Sequence, residues 1–512
     1  MTRDGTLDRG DAAACGLLAA GTIAYVLVMP WVLGASDEAY YLYHAVRVLR
    51  GEVLYRDVSE LITPLYIDGM ALLFRIFGPR MATARVAAAV IQAGIVVLVY
   101  LCCRTVGVRR SLAGAMALLH PAIAIPVWPY ATPHWLGTLL VMLLLLLALD
   151  RRRARRRGWL VMQGVLLGLV FLDRQPTGVA MAAVLSALVV ADALADRRWS
   201  VRGGPSATGR LAILVATASG VVLALLGVHL AQAGVEPVFR QLVVHPFTGY
   251  REVNHAGWGT GYFALSARFT ILPLLVYLPL VVVPVVTVQA IVAWARGDDR
   301  ERAETLLVLL VFGVVSPVSI LYFPDYIHIA FILPVALVLA AEIVQSLLRA
   351  VAPRALWTSG AIAAVLAAAC GLQLHRNWSR AHADFPFSHD TAFGRVDLAS
   401  EKEVAAVDRV RRVLDEVPGR QLFVYPVGGW LYLLADANNP TRHDLIFPTY
   451  QSDEEQRGVI EALERRRPRY AFFLLRPPSV ANDPIAAYIE RQYRCEADGL
   501  CVRNDAAPAP DR

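Results

Sequence analysis

Long apolar segments alternate with short polar connections along the first 376 residues of the chain. A helix needs about 17 to 25 predominantly apolar residues to cross the hydrocarbon core of a bilayer. Segments that meet this requirement lie at residues 12–33, 83–103, 111–127, 132–149, 158–173, 177–195, 211–234, 269–294, 304–322, 327–348 and 357–376. The pattern therefore predicts an α-helical polytopic membrane protein with about eleven transmembrane helices in residues 1–376.

From residue 377 onward, charged residues are frequent and apolar runs are short. The periodicity predicts helices at 399–417, 429–437, 453–467 and 484–493, and strands at 421–427 and 470–475. Strands that alternate with helices are typical of a small α/β domain with a mainly parallel sheet. We expect this domain to span residues 377–505 and to be followed by a disordered tail at 506–512.

The composition excludes a soluble protein of this size, because 57% of the 512 residues are hydrophobic and only 18% are charged. A net charge of +7 would indicate a nucleic-acid partner in a soluble protein. Here the arginines lie in alternate connections, most densely at 151–157, which is the positive-inside pattern of membrane proteins. It predicts a cytoplasmic N-terminus, a retained first transmembrane helix, and an extracytoplasmic first loop (residues 34–80) and C-terminal domain. A contact between the basic cluster and anionic lipids is an alternative, and no nucleic-acid partner is expected.

The first loop contains an acidic and tyrosine-rich stretch at residues 36–66. If a helix begins at Ser36, the spacing of Asp37, Tyr41 and His44 places a carboxylate, a phenol and an imidazole on one face. Such a face could carry out acid–base chemistry. The alternative is that Ser36 caps the helix and that Asp37 and Glu38 only favour the positive end of its dipole.

The sequence Asp-Glu-Ala-Tyr-Tyr at 37–41, followed by residues 51–57 and 60–64, resembles the first extracytoplasmic loop of the GT-C glycosyltransferases. The resemblance is to the bacterial branch related to protein O-mannosyltransferases, aminoarabinose transferases and lipopolysaccharide galacturonosyltransferases. It implies a hexosyl- or pentosyltransferase that uses a polyprenyl-phosphate sugar donor and inverts the anomeric carbon. It also implies that an acidic residue of this loop is essential for catalysis. Asp37 matches that residue, and Glu38 is the alternative.

This transfer needs a base for the acceptor hydroxyl or amine, a group that stabilises the departing phosphate, and exclusion of water. Asp37 is the candidate base, and partial burial would raise the pKa of its carboxyl group. A divalent metal with Asp37 and Glu38 as oxygen ligands is a further possibility that the sequence does not decide. No cofactor is otherwise predicted.

Arg174 and Gln175 are the candidate ligands of the donor phosphate. Arg174 lies at the outer end of an apolar segment, where an unpaired charge is costly, and arginine can contact a phosphate through two nitrogens. The segment also resembles a Lys/Arg-Gln-x-x-Gly turn of the GT-C branch. The alternative is that Asp173 neutralises Arg174 as a local pair.

Four further polar residues are candidate substrate-binding groups: His44, Glu60, His245 and His328. His245 lies in a polar and aromatic connection, where the aromatic residues could instead belong to the interfacial belt of the membrane. His328 begins a run that is otherwise apolar, whereas the neighbouring Asp325 could be only a helix cap. Within the C-terminal domain, Arg442 and His443 could contact an acceptor or a lipid head group, or could belong to a structural turn.

The six cysteines divide by position. Cys495 and Cys501 flank a five-residue hairpin loop in the domain predicted to be outside the membrane, and we expect a disulfide between them. The remaining cysteines lie in or beside apolar segments and are predicted to be core residues.

Together these features predict a membrane glycosyltransferase of the bacterial cytoplasmic membrane. It would move a sugar from a polyprenyl-phosphate carrier to a lipid or polysaccharide of the cell envelope on the outer face. The alternatives are a transporter or flippase of lipid-linked sugars and a non-catalytic subunit of a glycan assembly complex. Transporters usually place charges inside the membrane, whereas the polar residues of this chain gather at one end of its apolar segments.

Overall fold

A computed structural model describes the chain at residues 8–34, 36–150, 153, 156–198, 206–248, 256–260, 276–297, 300–351, 356–447, 451–474 and 483–505. Several predicted features lie outside these ranges. They are the disordered tail at 506–512, most of the basic cluster at 151–157, the beginning of the eighth apolar segment, and part of the polar connection that follows His245.

Long helices occupy the positions of the eleven predicted segments. Among the described residues, nine helices are long and apolar enough to cross a membrane. They are Arg9–Val28, Met81–Thr105, Arg110–Val127, Gln175–Leu194, Ala207–Ala233, Leu278–Arg296, Arg300–Ser319, Tyr326–Val351 and Thr358–Asp384. Two helices of 17 residues, Pro133–Leu149 and Arg157–Asp173, fill the other two predicted positions. The chain is thus a multi-pass membrane protein, as predicted.

These segments are helical because a backbone in lipid must satisfy its own hydrogen bonds, and they are long because each must cross the bilayer. They form one bundle, and its buried core contains Val96, Leu144, Leu309 and Leu337. The third helix contains a π-helical turn at His120–Ala124, just before its last turn at Ile125–Val127. The last helix runs to Asp384, several residues past the predicted boundary at 376.

The first loop folds into two helices, which we name L1 (Asp37–Leu49) and L2 (Leu65–Phe77). L1 begins at the acidic pair and buries most of its aromatic residues. L2 is amphipathic: it buries Ile67 and Phe74 and leaves Leu72 and Ile76 exposed. It ends at Gly78, whose φ of 87° is a conformation that side chains disfavour.

Residues 385–505 form a small domain, which we name the tail domain. Its helices are Glu401–Leu414, Gly429–Leu434, Asp453–Arg466 and Pro484–Gln492, and its strands are β1 (Phe387–Thr391), β2 (Gly394–Leu398), β3 (Leu422–Tyr425), β4 (Tyr470–Phe473), β5 (Tyr493–Cys495) and β6 (Leu500–Arg503). All four predicted helices and both predicted strands are therefore present. Ser452 and Glu455 form a capping box at the start of the third helix.

The tail domain contains a four-stranded sheet in the order β3-β4-β6-β5 and a separate β1–β2 hairpin. Only β3 and β4 are parallel, because β6 pairs antiparallel with both β4 and β5. The prediction of a mainly parallel sheet was therefore wrong. A short loop joins β5 to β6 and forces them to be antiparallel, and a disulfide links Cys495 to Cys501 across this hairpin.

The tail domain packs directly on the first loop, and the two share one apolar core. This core includes Leu42 of L1, Ile67 of L2, and Phe393 and Leu431 of the tail domain. The rings of Tyr43 and Tyr432 stack with their centroids 4.7 Å apart. Gly429 permits the close approach, since a Cβ atom there would lie 2.8 Å from the backbone carbon of Ala39. L1 is therefore held between the helix bundle and the tail domain.

Candidate active site

Asp37 is the first residue of L1 and is only partly buried. Burial raises the pKa of its carboxyl group to about 6, against the opposing charge of Arg174, and the charge of Asp325 adds to the rise. Ser36 precedes it but makes no side-chain capping bond. Asp37 is therefore positioned as an acid or base that changes its charge near neutral pH.

Two other connections bring polar groups close to Asp37. Arg174 follows the helix Arg157–Asp173, and its guanidinium donates a hydrogen bond to the hydroxyl of Tyr322. Asp325 caps the helix Tyr326–Val351, because its carboxylate accepts the backbone N–H of His328 at 2.9 Å. The same carboxylate oxygen contacts Nδ1 of His328 at 2.6 Å.

An aromatic cluster surrounds His328. Its ring centroid lies 5.4 Å from that of His134, 5.5 Å from that of Tyr322 and 5.9 Å from that of Phe331. His134 is the second residue of the helix Pro133–Leu149. His328 was a candidate from the sequence, whereas His134 and Tyr322 were not. Their only signal was a polar or aromatic side chain at the end of an apolar segment.

Glu38 has a different environment from that of Asp37. It is fully buried, and its two oxygens lie 2.6 and 2.9 Å from the guanidinium nitrogens of Arg85. The backbone N–H groups of Gly34 and Ala131 donate to the same carboxylate at 2.9 and 2.7 Å. Glu38 thus joins L1 to two other segments, and its oxygens are fully engaged. We therefore correct its assignment from a catalytic group to a positioning group.

The Asp37–Glu38 pair does not fit a divalent metal, because the oxygens of Glu38 are already occupied by four donors. Among the residues that the structure describes, no group of three or more His, Cys, Asp or Glu side chains could hold a metal ion. Asp37 could still contact an ion, but Glu38 could not share it without losing Arg85.

His44 and Glu60 lie in a buried network instead of an open substrate pocket. Nδ1 of His44 lies 2.8 Å from Glu60, and Nε2 lies 2.8 Å from Asp444 of the tail domain. Burial alone would lower the pKa of His44, but its bonds to Asp444 and Glu60 raise it. Both residues are therefore placed to position L1, which corrects their predicted role as substrate-binding groups.

Arg47, one turn further along L1, completes this network. Its guanidinium contacts both carboxylate oxygens of Asp444 at 3.0 and 3.1 Å. It also contacts one carboxylate oxygen of Glu52 at 2.6 Å. Burial favours the neutral form of Asp444, but the Arg47 charge and the His44 bond prevail and lower the pKa of its carboxyl group to about 2. The network therefore links L1 to the tail domain through buried, opposite charges.

The remaining candidates occupy three places. Gln175 donates hydrogen bonds from Nε2 to the carbonyl groups of Leu61 and Leu242 at 3.1 and 3.2 Å, so it ties the first loop to the bundle. His245 lies in a short helical turn, and no contact within the described ranges joins it to Asp37. Arg442 and His443 line a cleft at the tail domain.

Comparison with known proteins agrees with this architecture. Residues 63–222 match the family described as dolichyl-phosphate-mannose-protein mannosyltransferase. The crystal structure of ArnT from Cupriavidus metallidurans bound to undecaprenyl phosphate aligns with 98% of this chain and 100% of its own, with a TM-score of 0.57 and 14% identity. The chain has the GT-C fold. The fold implied by the resemblance of the first loop is thus confirmed.

The GT-C fold of this chain also aligns with ArnT in the apo state, over 96% of this chain and 97% of the other, with a TM-score of 0.53 and 14% identity. No curated protein matches the chain by sequence. At this identity the comparison establishes the arrangement of helices and tail domain, so roles of individual residues have to be argued from the site itself.

Proposed function

We propose that this GT-C protein transfers a sugar from a polyprenyl-phosphate carrier to a lipid or polysaccharide acceptor of the cell envelope. Asp37 would take the proton of the acceptor hydroxyl, whose oxygen then bonds to the anomeric carbon as the bond to the carrier phosphate breaks. Attack from the face opposite the phosphate inverts the anomeric carbon. The observation that carries this proposal is a half-buried carboxyl group with a pKa of about 6 beside the Arg174 charge.

Arg174 would stabilise the phosphate that leaves the sugar. Its guanidinium is oriented by the hydroxyl of Tyr322 and lies close enough to Asp37 for its charge to act on that carboxylate. A cation beside the base would hold the leaving phosphate next to the acceptor hydroxyl, and this orientation lowers the barrier to transfer. The cation would also stabilise the negative charge that develops on the phosphate. The arrangement of basic connections along the sequence further supports an extracytoplasmic site.

The test is a comparison of envelope glycolipids and glycans by mass spectrometry in cells that lack the gene, carry it, or carry Asp37→Asn. We expect one sugar to disappear on deletion and to return only with the wild-type gene. The mass difference identifies the sugar, and the molecule that loses it identifies the acceptor. Accumulation of a complete lipid-linked intermediate in the deletion strain would instead indicate a transporter.

Replacing Arg174 by Gln should raise the KM for the lipid-linked donor by about 10- to 100-fold, because a charged hydrogen bond contributes about 1.5–3 kcal/mol. Arg174→Lys should recover only part of this loss, since a lysine lacks the planar pair of donors. Steady-state kinetics with the donor varied at saturating acceptor would measure both effects. An unchanged KM for the donor in Arg174→Gln would remove Arg174 from phosphate binding.

The pH dependence of transfer should follow the ionisation of Asp37. Its pKa of about 6 lies above the ordinary value, so the carboxylate form is lost as the pH falls through 6. We expect kcat/KM to be constant above neutral pH and to fall about tenfold for each pH unit below 6. Because the Arg174 charge lowers the pKa of Asp37, the inflection in Arg174→Gln should move to higher pH. An identical inflection in both proteins would show that another group titrates.

A further inference from the structure

A cleft of about 790 Å³ lies where the tail domain meets the first loop. One wall is the end of L1 with residues 52–57, the second is the segment 236–241, and the third is formed by residues 438–443 and 454–466 of the tail domain. Asp37, Arg174 and His328 do not line this cleft. The function proposed above gives no role to it.

The three walls meet at the backbone carbonyl of Tyr55. Arg442 of the tail domain donates to this oxygen at 3.0 Å, and Gln241 donates to it at 2.7 Å. Tyr55 has a φ of 70°, which is unfavourable for a residue with a side chain. Such conformations cost about 1–3 kcal/mol and persist where surrounding contacts hold them, often at ligand-binding sites. The two hydrogen bonds to the carbonyl of Tyr55 hold this turn and join the three walls of the cleft.

Most arginines of the cleft already have a carboxylate partner. Arg47 pairs with Glu52 at 2.6 Å, Arg56 with Asp57 at 2.8 Å, and Arg240 with Glu236 at 2.8 Å. Arg442 differs, since in the described part of the chain it forms no ion pair within 4.0 Å, although the charges of Glu455 and Asp57 act on it from a greater distance. It presents a fixed positive charge to the cleft.

His443 lies beside this charge. Its side chain is buried, with 6% of the residue exposed, and its ring forms no hydrogen bond with any residue that the structure describes. Burial lowers the pKa of His443 to about 4, so the ring is neutral and can both donate and accept. Because His443 lines the cleft, its ring nitrogens are available to a ligand that enters there.

One wall of the cleft adjoins the end of a membrane-spanning helix. The short helix Val235–Phe239 forms part of the second wall and follows directly on the membrane-spanning helix Ala207–Ala233. Its Val235 and Phe239 are 69% and 55% exposed, although both are apolar. Exposed apolar residues at the end of a membrane-spanning helix are suited to contact the bilayer interface. A ligand of the cleft can therefore remain anchored in the membrane.

We propose that this cleft binds the head group of an anionic, phosphate-bearing glycolipid, with Arg442 on the phosphate and His443 on a neighbouring hydroxyl group. The identification of this lipid as the acceptor rests on the proposed transferase function. Ten residues of L1 separate Asp37 from Arg47, which is about 15 Å along a helix. A head group of several sugars would span this distance, with its phosphate in the cleft and its reacting hydroxyl at Asp37.

Gly458 offers a way to block the cleft without changing any polar group. It lies in the helix Asp453–Arg466, lines the cleft, and has no neighbouring atom within 4 Å of a Cβ placed on it. Gly458→Trp should fill the cleft, whereas Gly458→Ala should leave it open and favour the helix. This pair complements Arg442→Gln, which removes the charge, and Arg491→Gln, which removes an exposed arginine elsewhere on the tail domain.

The experiment measures binding of dihexanoyl phosphatidic acid, a water-soluble phosphate lipid, to the full-length protein in neutral detergent by calorimetry. We expect saturable binding that weakens at least tenfold in Arg442→Gln and Gly458→Trp and is unchanged in Arg491→Gln and Gly458→Ala. Equal binding in all variants, or no binding to the wild type, would overturn the proposal. If dihexanoyl phosphatidylcholine binds as tightly as the phosphatidic acid, the cleft is not an anion site. If inorganic phosphate binds as tightly as the phosphatidic acid, the cleft does not recognise a lipid.

This assay requires no sugar transfer, so its failure is distinguishable from failure of the proposed function. If the wild-type gene restores no sugar in cells but the probe binds through Arg442, the cleft is a lipid site of a protein with another activity. If the wild-type gene restores sugar transfer but Gly458→Trp binds the probe as tightly as Gly458→Ala, the acceptor binds elsewhere. Unfolding of Arg442→Gln would be detected by its melting temperature, and the Gly458 pair would then decide the question.

Discussion

Replacing Asp37 by Asn should lower the rate of sugar transfer by about 10²- to 10⁴-fold, the usual contribution of a general base. Asn has nearly the same shape as Asp but cannot accept the proton of the acceptor. The KM values for both substrates should therefore change little, while kcat falls. Transfer of a radiolabelled sugar by the purified protein would measure the two parameters separately.

The control for this variant must be an acidic residue that contacts no other charged group. Asp68 of L2 is unsuitable, because its carboxylate lies 2.8 Å from His229 of the bundle. Asp384 is exposed at the end of the last membrane-spanning helix, and Asp384→Asn should be as active as the wild type. Full activity of Asp37→Asn would exclude Asp37 as the base.

The membrane helices could be predicted from the sequence because the bilayer imposes one requirement on every span. A backbone in hydrocarbon forms its own hydrogen bonds, so a long apolar segment has one stable structure. The helices and central strands of the tail domain were equally visible, since their periodicity is local. The β1–β2 hairpin was missed because short polar strands carry little apolar alternation, as in His389 and Asp390.

The candidate site was predictable one residue at a time, but not as an arrangement. Asp37, Arg174 and His328 are each conspicuous as polar groups at the ends of apolar segments. The sequence could not separate Asp37 from Glu38, because the difference depends on Arg85 and on the backbone of Ala131. These partners lie 47 and 93 residues further along the chain, so only the packing of the helices brings them to Glu38.

The same limit applies to the contact between the first loop and the tail domain. His44 shares a helical face with Asp37 and Tyr41, which suggested a catalytic role. Its partner Asp444 lies in the tail domain, 397 residues after Arg47 of the same network. No local pattern predicts such a pairing. The cleft at Arg442 has the same origin, because its three walls come from distant parts of the chain.

Replacing Asp444 by Asn should destabilise the protein by about 3–5 kcal/mol, the usual cost of removing one partner from a buried ion pair. The substitution removes the charge that faces both His44 and Arg47, and these two groups are 0% and 3% exposed. The apparent melting temperature in detergent should fall clearly. Transfer should also weaken, because Asp37 is carried by the helix that this network anchors.

A surface pair across the same interface provides the matched control. Arg50, the residue that follows L1, contacts Asp436 of the tail domain at 2.5 Å, with 34% and 53% of the side chains exposed. Asp436→Asn should cost at most about 1 kcal/mol, since water already solvates both groups. Equal losses in Asp444→Asn and Asp436→Asn would show that burial of the network contributes nothing.

A double substitution separates the attraction within the network from the cost of leaving a buried charge alone. If the loss in Asp444→Asn comes mainly from the unpaired Arg47, then Arg47→Met combined with Asp444→Asn should be less destabilising than the sum of the two single changes. Strict additivity would mean that the two side chains act independently. A coupling energy of 0.5–3 kcal/mol would instead identify this buried pair as the connection through which the tail domain holds L1, and with it Asp37, in place.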